Sequence, residues 1–179
     1  MAAFGQAEWP VVSGNGIVIF VTVGAQMSFD RLVKTVDQWA REHGRDDVFA
    51  QIGPTDYRPS NMQWTPFLST EEFKQRYEAA KVIVAHAGTG SIITALQMGK
   101  PILIMPRRAS LRETRNDHQV ATSEQFRRFD SVVVASDEKE LITRLDGIDN
   151  LCGRQAIEPY ASPELVEAIR KFIDDVELI

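Results

Sequence analysis

Near the middle of the chain, His86-Ala87-Gly88-Thr89-Gly90-Ser91 brings two glycines, two hydroxyls and an imidazole into six consecutive positions. The residues before it, Val82 to Ala85, form an apolar run suited to a buried strand, and from about Ser91 to Met98 the sequence suits a helix. Such a loop ends at a helix N-terminus, where unpaired backbone N–H groups and the positive end of the helix dipole favour an anion. Diphosphate fits this description. Glycines let oxygens approach the backbone, Ser91 adds a hydroxyl donor, and His86 can donate to a phosphate and, when protonated, offset developing charge. The same residues also suit a plain strand-to-helix turn in which His86 bonds a carbonyl, so the pattern alone leaves both readings open.

Three other phosphate or metal chemistries fit poorly. A Walker loop would end in Gly-Lys-Ser/Thr, whereas Gly90 is followed directly by Ser91. A dinucleotide fingerprint would place a small residue where Ile93 stands and would normally follow the first strand. No His, Cys and carboxylate cluster has metal-ligand spacing, and no Asp-x-Asp pair follows a strand to hold a metal on a diphosphate, so a metal-free leaving-group site is expected.

The elements that must position this loop alternate along the chain. Ile17 to Val23 is a continuous β-branched and aromatic run ended by Gly24, and Phe29, Leu32, Val33, Val36 and Ala40 recur at the spacing of one helix face that closes near Gly44. Val48 to Ile52 and Met62 to Thr65 read as strands, and Ser69 with Glu72 makes a capping box that starts a helix running toward Ala80. After the phosphate-type loop come Ile102 to Met105 as a strand, a helix capped by Asn116 or Asp117 and running to Arg128, a last strand Ser131 to Ala135, and two amphipathic helices. The alternation predicts an α/β fold with a doubly wound parallel sheet, whose ligands sit beyond the carboxyl ends of the strands. Residues 1–16 read as a loose leader and 17–179 as a single domain. With 179 residues, 44% hydrophobic and 25% charged, one soluble globular domain is expected. A net charge of −5 argues against broad attraction to nucleic acid or anionic lipid. Cys152 is the only cysteine, which excludes an intrachain disulfide and suits a reducing, cytoplasmic setting.

Two longer stretches carry a resemblance. Ile19-Phe20-Val21-Thr22-Val23-Gly24-Ala25-Gln26 with Phe29-Asp30, and His86 to Ser91 through Gly99-Lys100-Pro101, Met105-Pro106-Arg107 and Asn116-Asp117-His118-Gln119, resemble the C-terminal domain of glycosyltransferase family 28 over roughly residues 17–134. The similarity is strongest to short bacterial exopolysaccharide subunits related to the cytosolic subunit of a eukaryotic dolichol-linked N-acetylglucosaminyltransferase. It implies a Rossmann-like half of a GT-B enzyme that binds a UDP-sugar without a cofactor, while a membrane-anchored partner supplies the other lobe and the site for a lipid-linked acceptor. His86, Gly88, Thr89, Gly90 and Ser91 would then hold the diphosphate, Asp117 and Gln119 the sugar hydroxyls, Gly24 the interlobe cleft, and Phe67 with Leu68 would lie near the uracil. Related two-lobed enzymes often bind ribose with a Glu on the helix after the loop. Thr94 stands at the nearest position here, and Glu113 is a possible substitute.

The remaining residues carry plainer expectations beside the functional ones. Asp117 suits a helix N-cap as well as sugar contact. Of the basic loop Arg107, Arg108, Arg112 and Arg115, Arg107 is the expected ligand and the others are expected to be solvated. His43 and His118 read as surface or helix-end residues, and Gln51 as a strand-end residue that reaches the cleft. The face Leu165, Val166, Ile169, Phe172, Ile173 and Val176 is expected to pack on the home sheet by default and on a partner in the sharper reading.

Overall fold

The computed structural model describes residues 18–154, 156–157, 160–161 and 163–176, so the expected leader lies outside the described residues. Strands β1 (Ile19–Thr22), β2 (Val48–Gln51), β3 (Gln63–Thr65), β4 (Val82–His86), β5 (Ile102–Met105) and β6 (Val132–Val134) form one sheet in the order β3-β2-β1-β4-β5-β6. Every neighbouring pair is parallel. Helices α1 (Asp30–Glu42), α2 (Thr70–Ala79), α3 (Thr89–Gln97), α4 (His118–Phe126) and α5 (Glu138–Asp146) flank it, and α6 (Pro163–Val176) follows.

Side chains of a strand alternate between faces, so each β-branched run feeds two cores at once. Ile19 and Val21 of β1 join Leu32, Val33, Val36 and Ala40 of α1 and Leu141 and Leu145 of α5 on one face. Phe20, between them, points to the other face, where Tyr77 of α2 and Ile92, Ala95 and Leu96 of α3 cover it. This is the doubly wound arrangement that the alternation of elements predicts. The expected capping box is also present: the Ser69 hydroxyl accepts from the Glu72 N–H, and the Glu72 carboxylate accepts from the Ser69 N–H at 2.8 Å.

Strand order reverses between β1 and β4, because β1, β2 and β3 step outward one way and β4, β5 and β6 the other. Such a reversal opens a crevice at the carboxyl ends of the two central strands. Gly24 follows β1 and His86 closes β4, so the loops singled out by their chemistry stand on either side of it.

Two expectations change. Helix α3 begins at Thr89, two residues before Ser91, because Gly88 takes the extended N-cap conformation. The described apolar residues of the α6 face are not buried on the home sheet: Leu165, Val166, Ile169, Phe172 and Ile173 are all exposed, Phe172 at 70%, and the side chain of Val176 lies outside the described residues.

Candidate functional site

Because α3 starts at Thr89, Gly90 and Ser91 belong to its first turn. Ile92 is the first residue to donate back, to the Gly88 carbonyl at 3.1 Å, and no side chain caps the helix. The amides of Thr89, Gly90 and Ser91 are therefore the open donors of the helix start. A Cβ at Gly90 would meet nothing within 4 Å, so the backbone there is approachable from outside.

Gly88 and Gly24 have a different role, which is to make room for the His86 ring. A Cβ on Gly88 would stand 2.3 Å from His86 Nε2, and one on Gly24, whose φ is +79°, would stand 3.0 Å from His86 Cε1. The imidazole thus lies against both glycines. Burial, and secondarily the Arg107 guanidinium, push its pKa down to about 4, with the Thr22 backbone opposing weakly. At neutral pH His86 is an uncharged donor and acceptor, so of the two roles open to it, donation to a phosphate is the one available there. Among the described residues, the buried side-chain polar atoms without a hydrogen-bond partner are His86 Nδ1 and Arg107 Nε. Buried polar groups are rarely left so, and both residues line one cleft of about 770 Å³ between the β1–α1 loop, the end of β4 and the β5–α4 loop.

The loops around this cleft are cross-braced by two arginines. Arg107, after β5, reaches back to the β1–α1 loop, where one terminal nitrogen donates to the carbonyls of Val23 (2.9 Å), Met27 (2.7 Å) and Ser28 (3.2 Å). Its guanidinium also lies over the Phe29 ring. Arg31, on α1, reaches forward to the β5–α4 loop, meeting Glu113 through two bonds of 2.7 and 2.8 Å and the Pro106 carbonyl at 3.0 Å. Arg107 is therefore a strut of the cleft wall, with one terminal nitrogen committed to backbone carbonyls. Glu113 is engaged likewise by Arg31 and by the Arg108 N–H at 3.0 Å, which leaves it unsuited to replace a ribose-binding Glu.

Asp117 stands at the N-cap of α4 without capping it, since its carboxylate accepts from the Ala109 N–H at 2.8 Å and so closes the loop on itself. Gln119 is buried, its carbonyl oxygen accepts from the Arg107 N–H at 3.1 Å, and it lines the cleft with its amide NH2 as the remaining donor. Thr94 donates its hydroxyl to the Gly90 carbonyl at 2.9 Å, which keeps only its acceptor capacity for a ribose hydroxyl. Phe67 is 53% exposed after β3 and stands outside the lining of the cleft. Gln51 is buried: Thr22 donates its hydroxyl to Gln51 at 2.9 Å and accepts from the Gly24 N–H, so Gln51 steadies the turn rather than facing the cleft.

Two residues read from the sequence as solvated or helix-end are exposed as expected and also line the cleft. They are Arg115, without an ion pair or hydrogen bond among the described residues, and His118, whose Nδ1 lies against the Asn116 side chain. Their signal is the run of polar residues Arg115-Asn116-Asp117-His118-Gln119 entering α4, but which of them face inward depends on the Arg31–Glu113 brace. His43, by contrast, is a surface residue between the Trp39 carbonyl and Asp146, as expected. Among the described residues no group of three or more His, Cys, Asp and Glu could hold a metal ion, and no helix is long and apolar enough to cross a membrane.

Comparison with known proteins places these features in company. The model of the glycosyltransferase family 28 C-terminal domain matches residues 18–150. The UDP-N-acetylglucosamine transferase subunit ALG13 of Mus musculus is 27% identical over 117 residues, covering 60% of this chain and 10% of the mouse protein. The subunit of the same name from Yarrowia lipolytica is 23% identical over 136 residues, covering 68% of this chain and 66% of the other. The chain thus matches about a tenth of the length of the mouse relative and about two thirds of the Yarrowia one. Among solved structures, the glycotransferase of kitacinnamycin superposes with a TM-score of 0.60 at 21% identity, over 84% of this chain and 38% of that one. The solution structure of ALG13 gives 0.56 at 18%, over 86% and 94%. A UDP-GlcNAc 2-epimerase from Neisseria meningitidis gives 0.52 at 16%, over 79% and 38%. At such identities the likeness is one of fold, which transferases and an epimerase share.

Proposed function

The chain belongs to the glycosyltransferase family 28 C-terminal domain family, and from that premise we propose that it is the UDP-sugar-binding subunit of an inverting hexosyltransferase. The observation that carries this reading is the convergence, at the sheet's reversal point, of an uncapped helix start and a cleft lined by His86 and Arg107, each of which keeps a buried polar atom without a partner. Diphosphate would sit on the amides of Thr89, Gly90 and Ser91, with His86 and the Ser91 hydroxyl as further donors. The sugar would extend into the cleft toward Gln119, with Phe67 and Leu68 on the uracil side and Thr94 accepting from ribose. Fixed donors aimed at the departing diphosphate stabilise the charge that develops as the anomeric bond breaks, which is the main demand of a single displacement. An acceptor hydroxyl attacks the anomeric carbon, UDP leaves, and configuration inverts.

This chain supplies half of such a site. The general base and the acceptor pocket belong to a partner subunit, membrane-anchored and carrying a lipid-linked saccharide acceptor of exopolysaccharide or glycolipid synthesis, so the chain acts from the cytoplasm at the membrane periphery. The naming of the ALG13 relatives as transferase subunits supports a division of labour of this kind. The exposed apolar face of α6 is the surface that we assign to the partner. No metal or cofactor is called for.

Calorimetric titration of the chain with UDP, UMP and UDP-sugars, with and without magnesium, tests the reading. Metal-independent binding of UDP compounds, weakened about tenfold or more in His86→Ala, is the expected result. Unchanged affinity in that variant would remove the phosphate assignment. If UDP compounds bind neither the chain nor its complex, the alternative becomes the better account: an accessory subunit that raises a partner's activity without forming the donor site.

A further inference from the structure

We propose that the sugar taken by this cleft carries a carboxylate, as in a UDP-hexuronate, and that Arg115 selects it; the inference rests on the UDP-sugar reading above. The cleft lining includes Arg107, Arg115, His86 and His118 and, among the described residues, no Asp or Glu. In a chain with a net charge of −5 this is a local arrangement, not a reflection of composition. The two carboxylates that the sequence brings nearest are occupied elsewhere. Glu113 is held by Arg31 and the Arg108 N–H, while Asp117 accepts from the Ala109 N–H and stays out of the lining.

A neutral hexose offers hydroxyls, each both donor and acceptor, and carboxylate side chains are their natural strong acceptors. A donor-rich wall without a carboxylate is instead matched to a group that only accepts. The Gln119 amide contributes its NH2 there, because its carbonyl oxygen is taken by the Arg107 N–H. Of the two lining arginines, Arg107 commits one terminal nitrogen to three carbonyls of the β1–α1 loop, which fixes its guanidinium in the cleft wall. Arg115 has no hydrogen bond or ion pair among the described residues, and it lines the cleft from the β5–α4 loop together with Gln119 rather than from the α3 N-terminus. An unpaired guanidinium at the sugar end is suited to bidentate contact with a carboxylate at the sugar's C6.

The test is calorimetry of the full chain and of Arg115→Gln with UDP, UDP-glucose and UDP-glucuronate. We expect the unaltered chain to bind UDP-glucuronate at least about tenfold more tightly than UDP-glucose, one charge-assisted contact's worth. Arg115→Gln should close that gap while moving UDP itself by less than about threefold. Equal affinity of the unaltered chain for the two sugars, with UDP bound, would overturn the inference and leave the donor-site reading standing. A uniform weakening of all three ligands in the variant would assign Arg115 to the diphosphate and overturn it as well. No binding of any UDP compound would refute the donor-site reading and this inference with it.

Discussion

Gly88→Ala tests whether the His86 ring occupies the place that defines the site. The added methyl would stand 2.3 Å from His86 Nε2, about 1.2 Å inside an ordinary ~3.5 Å contact. The ring cannot settle toward Gly24 without closing on that backbone, so it must leave its position or push the loop apart. Overpacking of this size costs about 1–3 kcal/mol. The backbone contributes little, since Gly88 has φ −87° and ψ 129°, a conformation open to Ala. Loss of a glycine N-cap and the stiffer unfolded chain then work against each other at under about 1 kcal/mol each. In a His86→Ala background the obstacle is gone, and the same substitution should be nearly neutral. Urea unfolding of the four proteins gives the coupling directly, and about 1–3 kcal/mol is expected. Effects that add within about 0.5 kcal/mol would show that the ring does not lie over Gly88, and the geometry proposed for the diphosphate donors would fall with it.

Further expectations follow from the burial and bonding of single groups. The His86 pKa of about 4 in the fold lies below the ordinary ~6.5 of the unfolded chain, so its contribution to stability is present above pH 6.5 and is lost as pH falls toward 4. About 2 kcal/mol should disappear between pH 8 and pH 5, and this component should be missing from the pH profile of His86→Gln; parallel profiles would contradict the burial of the ring. Arg107→Ala leaves three loop carbonyls without their donor and should cost about 3 kcal/mol in chemical denaturation, a loss below about 1 kcal/mol being incompatible with its role as a strut. Phe172→Asp, on the exposed face of α6, should change stability by less than about 0.5 kcal/mol while abolishing co-purification with the proposed partner subunit; retention of the complex would remove the assignment of this face to it.

The parallel sheet was legible because its central strands are unbroken apolar runs. Val82 to Ala85 and Ile102 to Met105 have no alternation to confuse with an exposed edge, and turn residues follow both. Ser69 and Glu72 marked the start of α2 through a local, three-residue signal. The start of α3 was misplaced because a glycine N-cap carries no side-chain signature, and Ser91 drew the boundary to itself. Within the site, the position of His86 at a strand end could be read from the chain, but its charge state could not, because burial and the approach of Arg107 set it. Arg107, Glu113 and Asp117 share the same reason for misreading. Each was placed at the right loop, yet what it bonds is fixed by Val23, Arg31 and Ala109, and no pattern within the loop names those partners. The face of α6 was visible as a period, which specifies that something apolar covers it but not what.

The two arginine braces also have a dynamic consequence. Arg107 and Arg31 tie the β1–α1 and β5–α4 loops to each other from opposite directions, so neither loop can swing without breaking several charge-assisted bonds. A ligand arriving between them meets walls that are already ordered, and little conformational entropy has to be surrendered on capture. The chain is then a stiff receiver. Whatever closure is needed to exclude water from the reacting bond must be a rigid-body movement at the mouth of the cleft, hinged outside these loops, rather than a folding-over of the loops themselves.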